Sequence, residues 1–152
     1  MPFQPLPALR ALHDADVRFV LIGGLAGRSH GSSSVTRGTD VCPDSAPENR
    51  ACLATALKAM HARRRHVDGH GASGVRSFDT DYGAVDVLAT PSGTSGYADL
   101  LAGAEPLDLG GFTVQIGALD DLIRMKRAAG RPKDRVEVEI LLALRDEITE
   151  TS

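Results

Sequence analysis

The sequence of 152 residues predicts an α/β (α+β) fold, with one mixed β-sheet flanked by helices in a single domain over residues 1–152. Short apolar segments typical of strands alternate along the chain with segments whose apolar residues recur at helical spacing. The length is enough for one substantial core and hardly enough for two. Hydrophobic residues make up 42% and charged residues 24%, an ordinary globular composition.

The first third of the chain predicts helices and strands in alternation. The segment Leu6–Asp14 begins next to a proline and carries leucines on one side, which predicts a helix. Val17–Ile22 is almost entirely apolar and predicts a strand that is buried on both faces. We expect a short helix over Leu25–His30 and a loop over Gly31–Ser34. Val35–Cys42 is either a strand throughout or a strand preceded by an extended loop.

The remainder predicts four more helices and two hairpins. Apolar residues at helical spacing predict the first helix, Glu48–Ala62, and the last, Lys133–Ile148, with Val136, Ile140, Leu141 and Leu144 facing inward. A Gly, His and Arg-rich stretch is typical of a connection, and paired apolar runs around turn residues predict hairpins. These elements are a connection over residues 61–74, a hairpin of Val75–Thr80 with Ala84–Ala89, a helix Thr94–Leu101, a hairpin over residues 107–116 turning at Gly110-Gly111, and a helix Ala118–Ala128.

The bulk charge and the cysteines narrow the functional classes. A net charge of −3 argues against a protein whose whole surface is basic and binds nucleic acid. It does not exclude a local basic patch. No apolar run approaches the ~20 residues of a membrane span, and the first residues lack the features of a signal peptide. We therefore expect a cytoplasmic protein with no membrane partner. Cys42 and Cys52 match no zinc spacing and are expected to be free thiols.

The most informative segment runs from the first strand to the second. Gly23 and Gly24 follow the apolar strand, where glycine lets the backbone approach a ligand without a Cβ in the way. Asp40 lies on the second strand, and Asp86 interrupts a later one. A carboxylate on an apolar strand is costly to bury without a partner, so an acidic site is favoured over a structural role. Carboxylates of this kind hold the Mg²⁺ that accompanies nucleotide phosphates.

The order of four motifs, GGLAGRSHG, VTRGTDV, YGAVDVLATP and LDDLIRMKRAAGRPKD, resembles the nucleotidyltransferases of the DNA polymerase β type. The nearest likeness is to small bacterial AbiEii and MenT-like toxins of toxin–antitoxin pairs. The resemblance implies that Asp40 and Asp86 are metal ligands and catalytic residues. An intact site of this type would hold two Mg²⁺ ions, with an NTP as substrate.

The same resemblance implies further site residues. Lys126 and Asp134 match a lysine and a distal aspartate that join the catalytic site in MenT-like toxins. Gly23, Gly24 and Ser34 are implied to bind the NTP, with Thr36, Lys126 and Arg131 as further candidates for this role. Without the resemblance, Lys126 would be interpreted as part of a solvated helix face and Asp134 as the N-terminal cap of the last helix. Ser34 would be interpreted as part of a plain loop.

One position departs from the family pattern. The stretch Thr36-Arg37-Gly38-Thr39-Asp40 has glycine where the family carries the first aspartate of an Asp-x-Asp pair. That aspartate would bridge both metal ions, so Gly38 leaves the clamp incomplete. Either the residue was changed because the active protein harms its host, or the protein is a degenerate relative that binds nucleotide without turnover. A third option is that Asp44 or Asp79 supplies the missing oxygen.

The sequence therefore supports one main hypothesis and two alternatives. The main hypothesis is an Mg-dependent nucleotidyltransferase toxin that transfers a nucleotide to an acceptor hydroxyl, plausibly the 3′ end of tRNA, with activity impaired by Gly38. An RNA acceptor and a cognate antitoxin are its implied partners. The alternatives are an inactive nucleotide-binding or partner-binding module on the same fold, and an enzyme that adds AMP to a protein hydroxyl.

Overall fold

One mixed sheet of seven strands runs through the computed structural model, which describes residues 2–65 and 74–151. The elements in chain order are α1 (Pro5–Asp14), β1 (Phe19–Ile22), α2 (Gly23–Ser29), β2 (Gly38–Pro43), α3 (Pro47–Ala59), β3 (Arg63–Arg65), β4 (Val75–Thr80), β5 (Gly83–Leu88), α4 (Tyr97–Gly103), β6 (Glu105–Asp108), β7 (Thr113–Ile116), α5 (Leu119–Ala129) and α6 (Pro132–Thr151). The predicted fold class, one mixed sheet with flanking helices, is confirmed.

The strands lie in the order β3-β4-β5-β2-β1-β7-β6. The central strand β2 pairs antiparallel with β1 and parallel with β5, while β1 pairs parallel with β7. All four residues of β1 are buried, as expected for a strand covered on both faces. The two strands predicted to carry acidic residues, β2 and β5, are therefore direct neighbours.

Side-chain alternation gives the sheet two different faces. Val41 and Val87 are paired on the apolar face, where α1 and α3 pack together and contact β2. Asp40 and Asp86 are paired on the opposite face, where α2 contacts β1, β2 and α5. The acidic residues therefore lie away from the α1–α3 core, on the face that α2, α5 and α6 border.

Several predicted boundaries shift for local reasons. Strand β1 begins at Phe19, two residues later than predicted, because the backbone N–H of Arg18 donates to the side chain of the buried Asn49. Strand β2 begins at Gly38, which supports the alternative of an extended loop before it. Helix α4 begins after Gly96, whose φ of 103° ends the preceding turn.

Two predictions were wrong. The connection over residues 61–74 contains a strand, β3, in which Arg63, Arg64 and Arg65 pair with β4; the part at residues 66–73 lies outside the described residues. Three exposed arginines have no apolar periodicity, so the sequence gives no strand signal there. Val136 was also expected inward, but it is 61% exposed while Val138 is buried. Of the four residues predicted to face inward from α6, Val136 is the exception, because Leu141 is buried and Ile140 and Leu144 are half-buried.

None of the helices in the described part of the chain has the length and apolar character needed to cross a membrane. Cys42 and Cys52 are free thiols, as predicted. His30, at the end of α2, places its Nε2 atom 2.8 Å from the carbonyl oxygen of Gly117 and so connects this turn to the segment after β7.

Candidate functional site

The two candidate metal ligands are direct neighbours across the parallel strands β2 and β5. Asp40 and Asp86 are Cα partners in the register, so both side chains leave the sheet on the same face. The two carboxyl groups are close enough to share a hydrogen bond when one of them is protonated. The structure therefore brings together the two aspartates that the sequence placed on separate strands.

The carboxylate of Asp40 fits against Gly23 because the glycine has no Cβ. The φ of Gly23 is 73°, and a Cβ built there would overlap Asp40 Oδ2 and lie 2.9 Å from its Cγ atom. Gly24 is also close-packed, because a Cβ would lie 3.1 Å from the Thr36 hydroxyl oxygen. The two glycines thus fit the strand-to-helix corner against Asp40 and Thr36.

Asp40 and Asp86 are two neighbouring acids whose negative charges act on each other. Burial, followed by the negative charge of Asp86, raises the pKa of Asp40 from 3.8 to about 6, against the opposing charges of Lys126 and Lys133. The Oδ1 atom of Asp86 is buried and has no hydrogen-bond partner among the described residues. An unpartnered buried carboxylate oxygen is unfavourable unless a cation satisfies it.

Three further predicted residues form one ionic cluster at the junction of α5 and α6. Asp134 is fully buried and accepts a 2.6 Å hydrogen bond from Arg131 Nε and a 3.4 Å bond from Lys126 Nζ. Burial alone would raise the pKa of Asp134, but the hydrogen bond from Arg131 and the charge of Lys126 outweigh it and lower the pKa. The cluster fixes two cations beside the acid pair.

A cleft of about 880 Å³ joins the acid pair to this ionic cluster. Its walls come from the acidic face of the sheet and from helices α2, α5 and α6. The lining residues include Gly23, Gly24, Asp40, Asp86, Lys126, Arg131 and Asp134, together with the apolar side chains Leu122, Met125 and Leu141. Seven of the nine predicted site residues therefore face one cavity.

The other two predicted residues lie outside the cleft lining. The hydroxyl of Ser34 donates to Glu137 at 2.9 Å, and the hydroxyl of Thr36 donates to the carbonyl oxygen of Gly38 at 3.2 Å. The neighbouring Ser32 does line the cleft. The predicted NTP-binding roles of Ser34 and Thr36 would therefore need contacts other than those the structure describes.

Neither candidate for replacing the missing carboxylate is in the cleft lining. Asp44 accepts hydrogen bonds from Arg18 and from the backbone amide of Ala46, beyond the end of β2. Asp79 lies 3.7 Å from the Arg65 guanidinium. Gly38 itself sits tightly against β5, because a Cβ would lie 3.2 Å from the carbonyl oxygen of Ala84. Asp40 and Asp86 are thus the acids available on the sheet side of the cleft.

The donor set fits one divalent cation bound together with phosphates. Mg²⁺ takes oxygen ligands and is commonly held by one or two carboxylates plus substrate phosphates. Asp40 and Asp86 provide two such carboxylates, including the unpartnered Oδ1 atom of Asp86. Within residues 2–65 and 74–151, no cluster of three or more His, Cys, Asp or Glu side chains could hold a metal by itself. The two-ion arrangement of an intact site would need a further carboxylate at position 38.

Three charged residues in the cleft lining were missed as site candidates. Lys133 lines the cleft and acts on Asp40 through its charge, while Glu137 and Arg65 line it from α6 and β3. Lys133 lies within the quoted GRPKD motif, so its position next to Asp134 was the available signal. Glu137 follows Asp134 by three residues, which places both on one helix face. For Arg65, the available signal was the arginine run Arg63–Arg65, which the sequence offered as a contact for an RNA backbone and not for the cleft.

Comparison with known proteins identifies the fold. No protein-family model matches the sequence, and neither does any curated protein. One similar structure is the lincomycin-bound crystal structure of the lincosamide antibiotic adenylyltransferase LnuA. It superposes with a TM-score of 0.66 and 10% sequence identity, and the match covers 95% of this chain and 99% of that chain. The solution structure of the antibiotic-resistance factor ANT(2'')-Ia superposes with a TM-score of 0.59 and 13% sequence identity. That match covers 97% of this chain and 90% of the other. At these identities the likeness establishes a shared nucleotidyltransferase fold.

Proposed function

We propose that the chain binds a nucleoside triphosphate with one Mg²⁺ in the cleft, as a nucleotidyltransferase whose transfer step is impaired by Gly38. The observation that carries the proposal is the direct register pairing of Asp40 with Asp86, opposite Lys126 and Arg131. Acids beside cations in one cleft match a metal–triphosphate ligand, whose metal needs oxygen donors and whose phosphates need positive charge.

Each group has a distinct role in this proposal. Asp40 and Asp86 would hold the Mg²⁺, which when bound draws negative charge from the phosphates and orients them. Lys126 and Arg131 would contact the phosphate oxygens, and Arg131 presents a planar fork suited to them. Asp134 is a positioning residue, since its buried carboxylate reaches the ligand through these two cations.

The reaction proposed is nucleotide transfer to a hydroxyl. The acceptor oxygen forms a bond to the α-phosphorus, the bond from that phosphorus to the β-phosphate oxygen breaks, and pyrophosphate leaves. The acceptor proton passes to a base, and in an intact site a carboxylate at position 38, on the same face of β2 as Asp40, would be available to accept it. With glycine there, we expect binding to persist and transfer to be slow.

The finer assignment rests on the sequence resemblance. We propose a toxin-type enzyme whose acceptor is the 3′ end of an RNA such as tRNA, with a cognate antitoxin as partner. The second candidate, a nucleotide-binding module without turnover, is favoured by Gly38. Addition of AMP to a protein hydroxyl would use the same site.

Calorimetric titration with ATP, GTP, CTP and UTP, with and without Mg²⁺, tests the binding part. We expect one NTP to bind in the presence of Mg²⁺, and Asp86→Asn to weaken that binding at least about tenfold through the loss of one metal ligand. Asp120→Asn, an exposed acid outside the cleft, is the matched control. The proposal fails if no NTP binds, or if binding is independent of Mg²⁺ and of Asp86.

An acceptor panel tests the transfer part. The wild-type protein and Gly38→Asp are incubated with α-labelled NTP and with total tRNA, lincomycin or a candidate partner protein. Label on RNA with Gly38→Asp supports the toxin-type enzyme, whereas label on lincomycin or protein assigns another acceptor. NTP binding with no labelled product from either protein supports the inactive module.

A further inference from the structure

A second cavity lies on the other face of the sheet. This groove of about 490 Å³ runs between α3 and the edge strand β3 with its neighbour β4. Its floor is made by aliphatic side chains such as Leu53 and Leu57 from α3, together with Phe78 from β4. We name it the α3 groove. Its lining residues all belong to the described part of the chain.

The α3 groove is separate from the cleft because strand residues alternate between faces. Arg64 pairs with Phe78, and both line the groove; the next residue, Arg65, lines the cleft instead. Likewise Arg76 lines the groove and Val75 lines the cleft. An occupant of the groove would therefore not touch Asp40 or Asp86.

The charge around the groove is of one sign. Arg50 and Lys58 on α3, and Arg64 and Arg76 on the sheet, are the charged residues that line it, and all four are cations. None of them forms an ion pair or a hydrogen bond with another side chain in the described residues. Arg64 lies over the ring of Phe78, with its guanidinium carbon 5.7 Å from the ring centroid. The groove is therefore locally positive, although the chain as a whole has a net charge of −3.

We propose that the α3 groove binds an acidic, amphipathic segment of a partner protein. The cationic rim complements carboxylates, and the aliphatic floor accepts leucine-like side chains, as in the binding of amphipathic helices in grooves. A nucleic acid strand fits less well. Single-stranded nucleic acids need aromatic platforms for base stacking, whereas this floor has one ring, which Arg64 already covers.

Fluorescence anisotropy with defined probes tests this inference. The probe is a labelled helical peptide of roughly 14 residues, about four turns, with leucines at i, i+3, i+4 and i+7 and glutamates elsewhere. Comparison probes are the same peptide with lysine for glutamate, a scrambled version, and an oligouridylate of similar length. The double variant Arg64→Glu/Arg76→Glu is compared with Arg63→Glu, which reverses a neighbouring charge outside the groove.

We expect the acidic peptide to bind, the double variant to weaken binding by about tenfold or more, and Arg63→Glu to change it less than about twofold. Unchanged circular dichroism of the variants verifies that they fold. The inference is overturned if the oligouridylate binds more tightly with the same arginine dependence, which would assign the groove to nucleic acid. It is also overturned if the peptide does not bind or if Arg63→Glu has the larger effect. NTP titration is independent of all these results.

Discussion

The carboxylate of Asp40 occupies the space where a side chain on Gly23 would lie. Gly23 has a φ of 73°, and a Cβ built on it would overlap Asp40 Oδ2. The glycine is therefore required twice, once for the backbone conformation and once for the carboxylate. The diglycine motif at the end of β1 and the aspartate on β2 form one steric unit.

This relationship predicts that Gly23→Ala is more damaging than an alanine at an ordinary positive-φ glycine. We expect a loss of about 3 kcal/mol in the free energy of unfolding, from backbone strain plus displacement of Asp40. Gly110→Ala is the matched control, because Gly110 has a φ of 81° with nothing within 4 Å of its Cβ position. It should cost only about 1–2 kcal/mol, the backbone strain alone. Equal losses in urea denaturation would contradict the steric explanation.

Asp40→Asn is expected to stabilise the metal-free protein at neutral pH. The folded-state pKa of Asp40, about 6, lies above the ordinary value of 3.8, so the native state holds its proton more tightly than the unfolded state. Stability is then fully present below about pH 4 and decreases as the pH rises through 6. A neutral Asn avoids this loss, which amounts to about 3 kcal/mol at roughly 1.4 kcal/mol per pKa unit.

Denaturation of both proteins in EDTA at pH 4 and pH 7.5 measures the effect of Asp40→Asn. The stability gain should be present at pH 7.5 and nearly absent at pH 4. A constant gain at both pH values would mean that the carboxylate charge is not the cause.

Asp134→Asn is expected to destabilise the protein at neutral pH, the opposite of the effect expected for Asp40→Asn. Because Lys126 and Arg131 lower its pKa, Asp134 contributes stability above its unfolded pKa, and this stability is lost as the pH falls through the lower folded value. We expect the variant to lose about 2 kcal/mol at pH 7, since two cations lose their buried partner. Asp120→Asn removes the exposed pair with Arg145 and should change stability by less than about 1 kcal/mol. Similar losses for both variants would contradict the argument.

Gly38→Ala isolates the steric part of the restoration experiment. Its Cβ would lie 3.2 Å from the Ala84 carbonyl oxygen and 3.3 Å from Ala84 Cβ, so β2 and β5 must separate slightly. We expect a cost of about 1 kcal/mol. Gly38→Asp should show a similar steric cost in melting experiments and, unlike Gly38→Ala, should raise nucleotide transfer. If both variants raise transfer equally, the carboxylate at position 38 is not responsible.

Elements with clear apolar periodicity could be predicted from the sequence, and those held by pairing alone could not. The buried run of β1 and the hairpin of β4 with β5 were evident from composition. Strand β3 was missed because Arg63 to Arg65 carry no apolar pattern and depend on β4 for their conformation. The face of α6 was misjudged at Val136, since several valines and leucines compete for the same stripe.

For the site, the sequence identified residues but not their arrangement. Asp40 and Asp86 are 46 positions apart (86 minus 40), and their pairing depends on the register of two parallel strands, which no local pattern specifies. Lys126 and Asp134 were recognised by motif, and Arg131 was named because its planar fork suits phosphates. The common contact of Lys126 and Arg131 with the buried Asp134 follows from the packing of α5 against α6, and it is visible only in three dimensions.

The cleft has one wall built from strands and one wall built from helices. Asp40 and Asp86 belong to the middle strands of the sheet, whose backbone is held by hydrogen bonds on both sides. The facing wall is built from α5 and α6, which pack against each other and are further connected by Lys126 with the buried Asp134 and by the exposed pair of Asp120 with Arg145. A substitution in that helical wall can therefore alter the shape of the cleft without changing the strand register that pairs Asp40 with Asp86.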